Sequence, residues 1–354
     1  MLDERVKKIE SLDFKEEEKI LRMWDNNLHP KGSLGRLEEL SSRILACEGF
    51  ITADKNRRAL LIFAGDHGII HSKVSSGYPM LTSTLFRAVS EHKTGVCALA
   101  KDANVEVFLV DMGIREKTSY ENAIYHRLGN ETNNFLEKPA MLRTEVVDAI
   151  NFGIKMVDDL KEKNYSIIHT GELGIANTCS SSAIMSMVLD LPAEITTGLG
   201  AGIDEETLKN KKNTVDLAKS KYGITDDAIY ALSCVGGYEI AALTGAFLGA
   251  AIHKTPIVID GFITAIASYL AYMINNNSKD YFIASHSSCE RQMDIILKEL
   301  NLDAYYNFNM RLGEGSGAVL FQKIIDASIY AFYNMGKYNE FSVPDDAVYD
   351  IRSK

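Results

Sequence analysis

An α/β fold centred on a parallel sheet follows from three features of the chain. Short apolar runs recur along it, their apolarity is continuous rather than alternating, and helix-length segments separate them. Continuous apolarity marks strands buried on both faces, as in parallel sheets covered by crossover helices. Strands that alternate with helices build such a sheet through right-handed crossovers.

The runs are "ALLIFAGD" (59–66), "VEVFLVDMG" (105–113), "YSIIHTGE" (165–172), "TPIVIDG" (255–261) and "YFIASHS" (281–287). Between them, "TSTLFRAVSEHKTGVCALAKDA" and "TEVVDAINFGIKMVDDLKEKN" are helix-length. "DDAIYALSCVGG" (226–237) is also predicted helical, because Ile229, Leu232 and Val235 keep a three-residue spacing behind an aspartate cap. Near the N-terminus, "DFKEEEKILRMWDNN" has Asp13 and Glu16 in capping-box positions. After Gly317, "AVLFQKIIDASIYAFYNMGK" is a long helix stopped at Gly336. Helical ends around a sheet-bearing middle predict a small helical subdomain drawn from both termini. Its parts are residues 1–35 and 321–354, beside a large α/β domain of residues 36–320.

With 354 residues, 46% hydrophobic and 24% charged, the chain can bury a core of that size. A net charge of −10 argues against nucleic acid or an anionic membrane as the main partner. Cys47, Cys97, Cys179, Cys234 and Cys289 lie far apart with no CxxC pair, which suits reduced thiols in a cytoplasmic protein. "MLDERVKKIE" lacks the apolar segment of a secretory signal. The most apolar stretch, 241–274, is broken by His253, Lys254, Pro256 and Asp260, so it does not span a bilayer comfortably.

Function is sought where the strands end, because ligands of open parallel sheets bind beyond the carboxyl ends of the strands. Those ends read "GDHGI", "DMGI", "GELGIANT", "DGFI" and "SHSS". They carry Asp66, His67, Asp111, Glu172, Asp260, His286 and Ser288, interleaved with glycine. "GELGIANT" turns into a helix starting near Ile175, whose free amides, with Asn177 and Thr178, suit a phosphate or carboxylate. "GLGAGIDEETLKNKK" (198–212) adds Gly198, Gly200 and Gly202, then Lys211. That lysine is either a point charge for phosphate or part of a solvated helix face. Neither stretch has the P-loop or dinucleotide-binding spacing. Asp66, His67, His71 and the distant His286 could bind zinc, but Gly68 breaks the helix that a paired-histidine site needs, so no metal is expected. Asp158 and Asp159 fall within a helix and are expected at the surface. Finally, "NMRLGEGSGAVL" sets Glu314 among Gly313, Gly315 and Gly317 where a helix opens. Glycines there signal a tight turn or close backbone approach to a ligand.

Taken in order, "HPKGSLGRLEEL", "AGDHGI", "VSSGYP", "VDMGI", "GELGIANT", "GAGIDEETLKNK", "VGGYEIAALTGAFLGA", "PIVIDGFI" and "MRLGEGSGAVL" resemble one family. It is that of the nicotinate-nucleotide–dimethylbenzimidazole phosphoribosyltransferases of cobalamin assembly, and the likeness runs from residue 30 to residue 320. The resemblance implies a three-layer, Rossmann-like parallel sheet with a small helical subdomain, a homodimer, and no cofactor. It implies transfer of phosphoribose from nicotinate mononucleotide to a lower-ligand base, giving nicotinate and an α-ribotide. It implies Glu314 as catalytic base, with Glu172 stabilising charge or assisting the base. By the same likeness, Ser76, Tyr78, Leu173, Gly174, Asn177, Thr178, Gly200, Gly202, Lys211, Asp260, Gly261, Ser288 and Arg311 bind substrate. Asp66 and Asp111 either join the site or tie loops together.

The departures concern the base pocket. "YPMLTSTLF" has leucine and threonine where the family usually has a glutamine. "VSSGYP" has an extra residue, and "SHSSCERQM" lacks the commoner Pro-Gly-His after the glutamate. Loss of an amide that hydrogen-bonds an azole leaves room for other acceptors, such as adenine or a phenol. Two alternatives stand beside the transferase: a non-catalytic nucleotide-binding relative, since fold alone proves no activity, and a metal-dependent phosphohydrolase using Asp66 and His67.

Overall fold

The computed structural model describes residues 1–48, 57–76, 78, 80–117, 119–200, 202–344 and 348–353. Helices α1 (Phe14–Trp24) and α2 (Arg36–Glu48) precede β1 (Arg57–Gly65), α3 (Leu81–Ser90), α4 (Gly95–Asp102), β2 (Glu106–Gly113) and β3 (Ala123–Tyr125). Next come α5 (Arg143–Glu162), β4 (Tyr165–Leu173), α6 (Asn177–Val188), α7 (Ala193–Thr196), α8 (Glu205–Tyr222), α9 (Ala228–Val235) and α10 (Tyr238–Ile252). Then follow β5 (Ile257–Ile259), α11 (Phe262–Ile274), β6 (Phe282–Ala284), α12 (Gln292–Glu299) and α13 (Ser316–Asn334).

The strands form one six-stranded sheet in the order β3-β2-β1-β4-β5-β6, every pair parallel. This is the doubly wound order, in which winding reverses between β1 and β4 and opens a crevice beyond their carboxyl ends. Every residue of β4 is buried, as continuous apolarity requires of a central strand. On one face, Leu61 and Phe63 of β1 join a core with residues of α5, α10 and α11. On the other, Leu60 and Ile62 pack with Phe86 of α3 and Val96 of α4. Further along that second face, Ile167, Val258 and Ile283 of β4, β5 and β6 pack with residues of α1, α2 and α13. The helical ends of the chain meet there: Trp24 donates its indole N–H to Ser41 Oγ at 3.0 Å and stands edge-on to Phe332. An α/β fold with a sheet between helical layers is what the sequence predicts.

The structure differs from expectation in three places. Strand β3 was not anticipated; it is a three-residue edge strand, too short to show a pattern. The segment expected as one helix over 82–103 is two, α3 and α4, because His92 turns left-handed (φ 56°) and Thr94 is extended. The helix after "GELG" begins at Asn177, since Ala176 is itself left-handed at φ 75°. The predicted helix over 226–237 is α9, with Asp227 accepting the amide of Tyr230. Asp13 likewise caps α1 through the amides of Lys15 and Glu16.

Candidate active site

Gly313, Glu314 and Gly315 are left-handed in succession, with φ of 78°, 62° and 90°. Glycine adopts that region freely, whereas a glutamate there costs roughly 1–2 kcal/mol, so surrounding structure must hold it. Two contacts do. Asp260, following β5, accepts the amides of Gly317 (2.8 Å) and Ala318 (2.9 Å) on Oδ1 and that of Gly315 (3.2 Å) on Oδ2. These amides open α13 and would otherwise be orphaned. From the opposite side the loop lies on β4: a Cβ on Gly171 would stand 2.5 Å from the Glu314 carbonyl oxygen. The carboxyl of Glu314 is thereby buried, and its Oε2 has no hydrogen-bond partner. Burial, reinforced by the charge of Asp260, pushes its pKa up. A buried carboxylate oxygen without a donor is costly unless a ligand brings one.

Glu172, one residue before the end of β4, accepts a hydrogen bond from Asn177 Nδ2 on Oε2. Its Oε1 faces the glutamate loop, 3.0 Å from where a Cβ on Gly313 would be. Burial pushes this carboxyl up to about 8; Asn177 opposes the shift, while Asp260, Glu239 and Glu314 add to it. At neutral pH the group is therefore held as the acid, a hydrogen-bond donor without charge. Behind it, Glu239 at the start of α10 places Oε1 2.6 Å from His67 Nε2, and His67 Nδ1 is 2.9 Å from Ser180 Oγ. His67 is thus engaged in a buried trio, while His71 faces Glu131 at 3.4 Å. Among the described residues, no three metal-type side chains are grouped as a site.

The start of α6 and the glycine loop before α8 suit an anion. Lys211 of α8 is only 1% exposed, and its Nζ donates to Thr178 Oγ1 (2.8 Å) and the Gly198 carbonyl (3.2 Å). Burial lowers its pKa, and a buried ammonium held mainly by neutral oxygens favours a further anion. Left-handed Gly200 brings its backbone against the same group: a Cβ on it would be 3.2 Å from Thr178 Oγ1. Ser76 Oγ donates to the Gly202 carbonyl at 2.9 Å. Gly174 lies between β1 and Asn177, and a Cβ on Gly261 would meet open space. Ser288 Oγ accepts the amide of Glu290 at 3.3 Å.

Other expected residues stand apart. The side chain of Leu173 is buried in the apolar layer beneath α3 and α4. Tyr78 is 69% exposed, and the Arg311 guanidinium sits beside Cys289 Sγ at 3.6 Å. Asp66 accepts from Thr82 Oγ1 and the amide of Arg115, both at 2.7 Å. Asp111 accepts the amides of Gly113 and Ile114 and pairs with Arg127. Both aspartates tie loops together. Thr82, from "YPMLTSTLF", also accepts the amide of Ile175 at 3.2 Å, so its hydroxyl is already used. Asp158, expected at the surface, is half-buried between Arg5 and His253. Sequence reasoning did not single out Glu239 or Glu290 as site residues. The signals available were a glycine pair just before Glu239, in "VGGYEI", and a family departure just after Glu290, in "SHSSCERQM".

Buried carboxylates at the carboxyl ends of β4 and β5, with a buried lysine and a glycine loop beside α6, are the set of groups seen in an α/β transferase site. Residues 9–343 match the phosphoribosyltransferase family DBI_PRT, and the chain belongs to it. It is 35% identical to the nicotinate-nucleotide–dimethylbenzimidazole phosphoribosyltransferase of Clostridium acetobutylicum, over 97% of both chains. Against the enzyme of that name from Clostridioides difficile the identity is 36%, over 97% of this chain and 99% of the relative. The crystal structure of CobT from Thermus thermophilus superposes with a TM-score of 0.88 at 26% identity, covering 94% of this chain and 99% of that one.

Proposed function

We propose that the chain transfers phosphoribose from nicotinate mononucleotide to 5,6-dimethylbenzimidazole or a related lower-ligand base in cobalamin assembly. The observation that carries this reading is the buried, unpartnered Oε2 of Glu314. The donor's nicotinate is a pyridinium, so the bond to C1′ is already polarised. An azole nitrogen attacks C1′ from the opposite face, the C1′–N bond breaks, and its electron pair stays on the departing nicotinate. The β-nucleotide becomes an α-ribotide of the α-ribazole 5′-phosphate type. The other azole nitrogen grows acidic as the new bond forms, and the Glu314 carboxylate takes its proton. The charge of Asp260 beside Glu314 favours the cationic pyridinium, while Lys211, Thr178 and the Gly200 loop receive the phosphate. Glu172, as the acid, donates a hydrogen bond to the ribose.

This reading includes a cytoplasmic homodimer that uses no cofactor, with residues 1–35 and 321–354 forming a small helical part beside the catalytic 36–320. Five free cysteines are compatible with a reducing compartment, and no described helix is long and apolar enough to cross a membrane. The test is product analysis with nicotinate mononucleotide and a panel of benzimidazoles, purines and phenols. Nicotinate release matched by α-ribotide formation is expected with at least the benzimidazoles. Binding of the donor without transfer to any acceptor would leave only a nucleotide-binding relative.

A further inference from the structure

Glu290 occupies the amide of the glycine loop beside Lys211. It follows β6 on the loop that leads to α12, and its Oε1 accepts the amide of Gly200 at 2.6 Å. Its Oε2 is buried without a donor, and any Cβ on Gly198 would collide with it. Its charge acts on Lys211, which bonds instead to Thr178 and the Gly198 carbonyl. Two more buried hydroxyls without partners, those of Thr196 and Thr197, lead into the same loop. A loop amide beside a buried ammonium is the equipment that holds an oxyanion. Here it already faces a carboxylate.

We infer that Glu290 determines which anions this pocket admits: its carboxylate holds the seat in the empty enzyme, and the donor's phosphate must displace it. The inference rests on reading the Lys211 pocket as the phosphate seat. One amide cannot serve two anions at once. A phosphate dianion reaches the Gly200 amide, Lys211 and Thr178 with different oxygens and carries twice the charge of the carboxylate. A carboxylate ligand offers no such advantage, and a nucleoside offers no anion there at all. Ser288 travels with Glu290, because its Oγ accepts the Glu290 amide at 3.3 Å. Return of Glu290 to Gly200 then helps the phosphorylated product to leave.

The experiment is calorimetric titration of the full chain with inorganic phosphate, nicotinate mononucleotide and nicotinate riboside. Glu290→Gln keeps an oxygen for the Gly200 amide but removes the charge, and Glu290→Ala vacates the seat. Both variants are expected to bind phosphate and the mononucleotide about 10-fold more tightly, as loss of a close like charge allows, with the riboside unchanged. A crystal structure with phosphate is expected to show the anion on the Gly200 amide and Glu290 turned away. Unchanged or weaker phosphate binding in both folded variants overturns the inference, as does bound phosphate with the Glu290–Gly200 contact intact. Lys211→Ala separates the two levels of failure. If it leaves phosphate binding untouched, the phosphate-seat reading falls. If it weakens binding while the Glu290 variants bind as before, only the role of Glu290 falls.

Discussion

In the proposed reaction Glu314 is the proton acceptor, and its setting suits that role. Its backbone is held left-handed, its carboxyl is buried, and one of its oxygens is without a donor. Glu314→Gln keeps the shape but cannot accept a proton, so turnover is expected to drop by roughly 10²–10⁴-fold with donor affinity nearly unchanged. Steady-state kinetics on the folded variant checks this, and near-normal kcat would remove Glu314 from the role. Because burial raises its pKa, the working carboxylate form appears only at higher pH than for a solvent-exposed glutamate. The acid limb of the kcat profile should therefore lie above the ordinary carboxylate range and vanish in the glutamine variant. The glycines around it mark the position in the sequence, whereas its role as base is implied by the family resemblance. Glu239 and Glu290 were not, because their significance lies in what they touch across the fold: His67 in one case, Gly200 in the other.

At the level of the element, β4 both carries Glu172 and supports the loop of Glu314. Gly171 is the point of support, and in "HTGEL" nothing distinguishes it from any glycine in a strand. Gly171→Ala would push against backbone, which cannot rotate away as a side chain can. The expected result is a folded protein whose glutamate loop is displaced by about an ångström, with kcat lower by roughly 100-fold. Wild-type kcat in that variant would show that the loop has slack. The long central strands β1, β2 and β4 were visible as apolar runs because both of their faces are covered. Strands β5 and β6 are three-residue cores inside longer apolar runs, so their existence was readable and their ends were not. The break between α3 and α4 is hard to read from sequence because the left-handed residue is a histidine rather than a glycine.

Across the whole molecule, the first and last helices are fastened to the sheet they flank. Trp24, the only tryptophan of the chain, is fully buried in a cluster that includes Ile167 of β4 and Phe321 of α13. Helix α13 runs without interruption from the Glu314 loop into that cluster. One cooperative transition is therefore expected: tryptophan fluorescence, which reports the terminal helices, should change at the same denaturant concentration as far-UV circular dichroism. A fluorescence transition at lower denaturant would make the terminal helices an independent unit. Helical ends were legible from the cap at Asp13 and from the long run that stops at Gly336. That they share a core with strands more than a hundred residues distant was not, since no local pattern encodes it.

The acid held by Glu172 has an effect on the folded state at large. In the unfolded chain its carboxyl returns to its ordinary 4.5, whereas in the folded protein it stays protonated up to about 8. Between those values the native state binds the extra proton, so this contribution to stability is complete below pH 4.5 and is lost as pH rises through 8. Asp66, Asp260 and Glu314 are shifted in the same direction by burial. Alkali, more than mild acid, is thus the condition that loosens the crevice. The melting temperature should decline from pH 5 toward pH 9, and Glu172→Gln, which stays uncharged and keeps a donor, should flatten that decline and melt higher at pH 9. An unaltered slope in the variant would mean that Glu172 is ionised in the native protein.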